Sequence, residues 1–418
     1  MENSRKRIWE SPWGFTEYNL IVWSIVLVGF VLNYNIGNFD FFLLARPYNF
    51  FFGGGIVLFI ILLSLFRKKT ILFKFFSSLE LSVGLISTLT ILCIIMGLTP
   101  QILTSEGIDP GIKENFFTRL GFRQMTTSWS FVLIYFLTLI SLGSIIIKRL
   151  FSKNKKKILF TLNHLGLWMV LFFSALGYSD LQRYIMYVNK SEIEWRVYDS
   201  NQEAIELPIA IKLNDFIIED YIPKLAIIDR KTGEIEKTTK VSYLQLDTNT
   251  RNYSFNGYKI TLNNYIHSSI PNGDTSFRFT PMLGSTPSAN ISLKDRKTNK
   301  VISGWISSGN YALMPRALNI DTNLALVMTK PEPKAFISDI EVFTQDEKYK
   351  KARIEVNKPL KIGSWWVYQY GYDNEMGKLS NYSSFELVHD PWLYFVYFGI
   401  FLLGVGGVLL VILGKKSI

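Results

Sequence analysis

One histidine is set inside hydrocarbon-forming sequence. Asn163-His164-Leu165-Gly166 lies within the apolar run Ile158 to Leu176, six residues past its start. The chain has three histidines, and His164 alone falls in a hydrophobic span. Placing imidazole in hydrocarbon is costly, so an ionisable residue there marks a functional site by default. Neutral imidazole is a good ligand for haem iron, and an apolar helix supplies the walls a porphyrin needs. The alternative is a histidine that hydrogen-bonds a neighbouring helix. A rise of 1.5 Å per residue puts His164 roughly 9 Å along the helix from the edge of its span.

The other two histidines read more plainly. His389 stands beside Asp390 and Pro391 at the edge of the last apolar run, as an interfacial residue or a helix N-terminal feature. His267, in Tyr265-Ile266-His267-Ser268-Ser269, reads as a polar loop residue. There is no glycine-rich phosphate loop, no G-x-S-x-G and no H-E-x-x-H, and no catalytic acid or base is assigned. Without C-x-x-C-H the chain is not itself a c-type cytochrome. Its single cysteine, Cys93, lies in an apolar run, so the soluble part can form neither a disulfide framework nor a thiol redox motif.

Six apolar runs frame these residues: Tyr18 to Ile36, Phe50 to Phe66, Leu81 to Leu98, Trp129 to Ile147, Ile158 to Leu176 and Pro391 to Leu413. Each is long enough to cross a bilayer core. Glu10 and Glu17 before the first run, and the lack of an A-x-A-like site after it, predict a retained anchor rather than a signal peptide. Gly53-Gly54-Gly55 would allow a close helix contact in the second run; a loose helix end is the other reading.

Charge sets the topology. The segment 177–390 carries 26 basic and 26 acidic residues, so the net +11 belongs to the membrane part. A basic chain of this kind does not point to nucleic acid. With the N-terminus inside, the inner segments hold 15 Lys and Arg and the short outer loops hold four, Arg46, Lys113, Arg119 and Arg123. The positive-inside rule then places both termini in the cytoplasm and residues 177–390 outside, in the periplasm of a host with an outer membrane.

That outer segment reads as strand. Ile209 to Leu213, Tyr258 to Leu262, Phe336 to Phe343 and Arg353 to Val356 alternate, and Arg230-Lys231-Thr232-Gly233 has hairpin-turn character. A β-sandwich or barrel-like domain is expected. The aromatic stretch Trp365 to Tyr372 reads either as two-sided strand packing or as a platform for a partner. The fold class is therefore an α-helical integral membrane protein with six transmembrane helices and a large β-rich extracytoplasmic domain between the fifth and sixth. The parts are a two-helix N-terminal extension (1–74), a three-helix core (75–176), the β domain (177–390) and a last helix (391–418).

Several segments, in order, carry a family resemblance. They are Phe76-Ser77-Ser78-Leu79-Glu80-Leu81 with Gly97-Leu98-Thr99-Pro100-Gln101; Leu120-Gly121-Phe122 with Ser128-Trp129-Ser130-Phe131; Asn163-His164-Leu165-Gly166; and Val356-Asn357-Lys358-Pro359-Leu360 with Tyr368-Gln369-Tyr370-Gly371-Tyr372. The chain resembles the ResB-like (CcsB) family of system II cytochrome c biogenesis proteins over roughly residues 75–418. The resemblance implies a bacterial inner-membrane complex with a CcsA-type partner that carries the WWD motif. That complex delivers haem to apocytochrome c, whose thiols other proteins keep reduced. It also implies that His164 is one axial ligand of a haem iron, the partner's histidine being the other. Three features depart from the family pattern. Two extra helices precede the usual four, as in a Bacteroidota-like branch. Glu80 stands where a basic residue is common, and no WWD run occurs, so the chain looks like half of a synthase. The rival readings are a membrane-anchored scaffold with a structural His164 and a solute transporter, against which no pair of Gly/Pro-broken helices bearing charge is found.

Overall fold

The computed structural model describes residues 9, 13–66, 70–102, 116–150, 156–198, 203–235, 242–282, 284–346 and 349–414. The basic clusters Arg5-Lys6-Arg7, Arg67-Lys68-Lys69 and Lys415-Lys416, with Lys113, Lys153 and Lys155, lie outside the described residues.

Six helices are long and apolar enough to cross a membrane, five before the β domain and one after it, as in a multi-pass membrane protein. They are α1 (Phe15–Ile36), α2 (Tyr48–Leu65), α4 (Leu79–Leu98), α6 (Trp129–Leu150), α7 (Lys156–Gly177) and α8 (Leu393–Gly414). Two short helices, α3 (Ile71–Phe76) and α5 (Phe116–Arg119), lie in the connections. Each long helix contains most of its expected run and departs from it by a few residues at an end. At the start of α4 a cap sets the terminus: the Ser78 hydroxyl accepts the Leu81 N–H.

Close backbone contact, not side-chain volume, seats the helices. A Cβ on Gly29 of α1 would lie 2.4 Å from the Ser130 Cα of α6. A Cβ on Gly166 of α7 would lie 2.3 Å from the Leu403 nitrogen of α8, and one on Gly406 2.6 Å from the Asn163 nitrogen. In the Gly53-Gly54-Gly55 run only Gly53 is closely approached, by the Leu176 and Phe172 side chains rather than by backbone, while Gly54 and Gly55 face open space. Two apolar clusters fill the bundle. One joins Tyr18, Val22 and Val26 to Leu81, Leu85 and Ile134; the other joins Ile56 and Ile60 to Leu139, Phe172, Leu176 and Trp392. The first two helices are thus built into the bundle rather than appended to it.

The β domain is two sandwiches, one inserted in the other. The chain enters by β1 (Gln182–Asn189), β2 (Ile193–Tyr198) and β3 (Ala204–Asp220). The inserted lobe holds β4 (Lys224–Asp229), β5 (Leu244–Gln245), β6 (Asn252–Phe255), β7 (Tyr258–Asn272), β8 (Ser276–Phe279), β9 (Thr286–Asp295), β10 (Val301–Ser307), β11 (Leu318–Asn319) and β12 (Leu324–Met328). The chain returns by β13 (Pro333–Thr344), β14 (Tyr349–Glu355), β15 (Leu360–Ile362), β16 (Trp365–Tyr372) and β17 (Tyr382–His389). The first lobe packs sheet β1-β17-β16-β15 on sheet β14-β13-β3-β2; the inserted lobe packs β10-β9-β7-β6, with β8 on β7, on β11-β12-β4-β5. All the ladders are antiparallel.

Each lobe has its own core, with Ile211, Leu213, Val367 and Phe385 in the first and Ile227, Ile260, Ile291 and Leu326 in the second. The single sandwich or barrel expected from alternation is therefore two sandwiches. Alternation reports which face of a strand is buried, not which sheet the strand joins. His267, expected in a loop, lies on β7, where register shifts between Leu262 and Asn264 and between Ile266 and Ser269 mask the alternation.

Candidate functional site

Helix α7 carries His164 between two satisfied faces. On one side Asn163 Nδ2 donates to the Leu403 carbonyl of α8 at 2.9 Å, and Gly166 lets the two backbones touch. On the other, Trp168 Nε1 donates to the Leu139 carbonyl of α6 at 2.9 Å. His164 is half-buried beside the α6–α7 contact. It lies eight residues from the first residue of α7, roughly 12 Å along the axis.

Its two nitrogens differ. Nδ1 lies 2.9 Å from the Phe160 carbonyl one turn back. A carbonyl only accepts, so Nδ1 carries a proton, and in the neutral ring Nε2 then keeps its lone pair. Among the described residues Nε2 has no hydrogen-bond partner. The imidazole ring stacks on Phe160, with centroids 3.5 Å apart and planes 22° apart, and the Arg149 guanidinium lies 3.7 Å above the Phe160 ring. A neutral ring fixed through Nδ1 with Nε2 open is the form in which histidine binds a transition metal or haem iron. That single open imidazole nitrogen is a donor that would fit a haem iron.

No second imidazole comes from within the bundle. His267 is exposed on β7 against Phe279, with ring centroids 5.4 Å apart, and His389 ends β17. Among the described residues no group of three His, Cys, Asp or Glu could hold a metal. Cys93 is exposed on α4.

His389 belongs to a different cluster, where the bundle meets the β domain. Its Nδ1 is buried without a hydrogen-bond partner, and its ring lies 5.2 Å from that of Trp365. Burial, with the Arg46 charge, holds its pKa below the usual imidazole range, against Asp390 and Asp180. Asp180 binds Arg46 Nε at 2.9 Å, Asn49 Nδ2 at 2.8 Å and Trp392 Nε1 at 2.7 Å. Sequence reading missed this knot and the Arg149 stack. Arg149 was visible only as a topology charge, and nothing local marks Asp180.

Two of the segments behind the family resemblance, those at the end of α4 and before α6, contact each other. Gln101 Nε2 and Thr99 Oγ1 donate to the Phe122 carbonyl at 3.0 and 3.1 Å, and Gln101 Oε1 accepts the Met125 N–H at 3.1 Å. Gly121 has φ +86°, and a Cβ there would lie 2.7 Å from Asn33 Nδ2. Leu360 pairs with Val367 in the β15–β16 hairpin. Along β16, Trp365, Val367 and Gln369 are buried and Tyr370 is exposed, so that stretch both packs a core and presents an outer face. Glu80 lies in the first turn of α4, where its charge complements the helix dipole.

The sequence model of the ResB-like family matches residues 288–381, a stretch that runs from β9 through β16 and across both lobes. The match includes the β15–β16 hairpin and bears out the resemblance read from the sequence. At the level of the family it implies a role in cytochrome c biogenesis. No curated protein matches the chain.

Proposed function

We propose that this chain is the ResB-type subunit of a system II cytochrome c synthase. It helps to carry haem across the bacterial inner membrane and to present it to apocytochrome c. In this reading its termini are cytoplasmic and its β domain periplasmic, an orientation that the charge distribution supports. The observation that carries the reading is His164: an intramembrane imidazole with Nδ1 bonded and Nε2 open. Leaving a lone pair unsatisfied in an apolar layer is costly unless a ligand takes it.

In this reading His164 Nε2 would hold the haem iron from this chain, and a CcsA-type partner with the WWD motif would supply a second histidine. Bound haem supplies the vinyl groups that become thioethers with the C-x-x-C-H cysteines. This chain orients rather than catalyses. The Phe160 carbonyl fixes the tautomer, Phe160 fixes the ring plane, and the Asn163 and Gly166 contacts with α8 fix the rotation of α7. The β domain has no cysteine, so separate thiol-reducing proteins keep the apocytochrome ready.

The test is the visible spectrum of the detergent-purified protein, alone and with its partner, beside His164→Ala. A low-spin Soret and α band in the complex, lost or shifted in the variant, is the expected result. Unchanged haem in the variant moves the ligand elsewhere. No haem with the partner present leaves a membrane-anchored scaffold with a structural His164.

A further inference from the structure

Three flat groups stack at the α6–α7 contact: the Arg149 guanidinium, the Phe160 ring and the His164 imidazole, separated by 3.7 and 3.5 Å. One face of Phe160 is taken by the imidazole, so the guanidinium takes the other. Imidazole ligates through the edge of its ring, so a porphyrin held at Nε2 would extend sideways past that edge, along the direction of the stack. We propose that Arg149 binds a carboxylate of the haem held by His164, an inference that rests on the proposed role of His164.

The chemistry favours this pairing. Haem carries two carboxylates on one edge, and an unpaired carboxylate in an apolar layer is strongly disfavoured. Guanidinium pairs with a carboxylate through two parallel N–H donors and loses little by partial burial. Among the described residues no acidic side chain pairs with Arg149. The adjacent Lys148 is engaged elsewhere, donating to the Ser77 carbonyl at 3.0 Å. Of the two basic residues that end α6, Arg149 is therefore the one turned toward His164.

A purely structural Arg149 would stack on Phe160 and be indifferent to the ligand's charge. The test therefore varies that charge. The full chain in detergent is titrated with haem and with haem dimethyl ester, with free imidazole standing in for the partner's axial ligand, and the Soret band is followed. Wild type should bind haem roughly tenfold or more tightly than the ester, as a charged hydrogen-bonded pair requires. Arg149→Ala should lose that preference yet bind the ester as wild type does, which also shows that the variant is folded. Arg149→Lys, which keeps the charge but not the fork, should fall between. A preference for haem that survives in Arg149→Ala overturns the proposal and leaves His164 as ligand. Absent binding, or binding indifferent to His164→Ala, overturns the His164 reading and the proposal with it.

Discussion

At Asp180 one carboxylate holds three stretches of chain together. It reaches Arg46 and Asn49 around the start of α2 and Trp392 before α8, and its side chain is only 6% exposed. Hydrogen bonds to a buried charge are among the stronger ones, so Asp180→Ala should cost roughly 2–3 kcal/mol. Thermal unfolding in detergent checks this, and an unshifted midpoint would deny the knot its role. His389, in the same region, has a folded pKa lowered by burial and by Arg46. The folded state then binds fewer protons there than the unfolded chain. Its stabilising share is complete above the unfolded pKa of about 6.5 and is lost as pH falls below it. The unfolding temperature should therefore drop between roughly pH 7 and pH 5, and His389→Gln should flatten that slope. His164 was legible because a histidine in hydrocarbon is conspicuous in sequence alone. Asp180 was not, because an aspartate in a connecting turn is ordinary until its neighbours are known.

At the scale of elements, the α7–α8 contact depends on glycine. A side chain at Gly166 meets the Leu403 backbone, which cannot give way as a flexible side chain would. Gly166→Val should cost about 1–3 kcal/mol by overpacking and rotate His164 relative to α8. A lower melting temperature together with an altered haem spectrum in the complex would show both effects; a change in neither would mean that the helices slide freely. Helix spans were legible to within a few residues because twenty apolar residues can cross a bilayer in few ways. Their neighbours were not. The stretch 1–74 reads as an extension, but Ser130 Oγ donates to the Val26 carbonyl at 2.9 Å and Asn33 Oδ1 accepts the Trp129 N–H at 3.0 Å. Nothing in the hydropathy of α1 announces those contacts, because each depends on one polar atom meeting a backbone group far along the chain.

Across the whole molecule, the chain crosses each boundary in adjacent pairs. Gln182 is paired with His389 where the β domain meets the bundle, and the Tyr221 N–H donates to the Glu332 carbonyl at 2.9 Å where the inserted lobe leaves the first. Insertions tolerate removal when their ends are close and their cores separate. Excising 222–331 behind a short linker should leave a membrane protein that still folds and keeps any His164-dependent haem band. Loss of the band would show that the inserted lobe supports the membrane site.

The sequence by itself determined the six apolar spans, the β character of residues 177–390 and the place of a single histidine inside an apolar span. These follow from local physics: hydrocarbon length, the period of two along strands, and the cost of a polar group in lipid. Only the tertiary structure decided that the strands form two sandwiches, that α1 and α2 are integral to the bundle, that Asp180 ties three segments, and that Arg149 and Phe160 stack on His164. Those depend on contacts between residues distant in sequence. Periodicity and composition do not encode such contacts, because each is fixed by which faces meet when the chain packs.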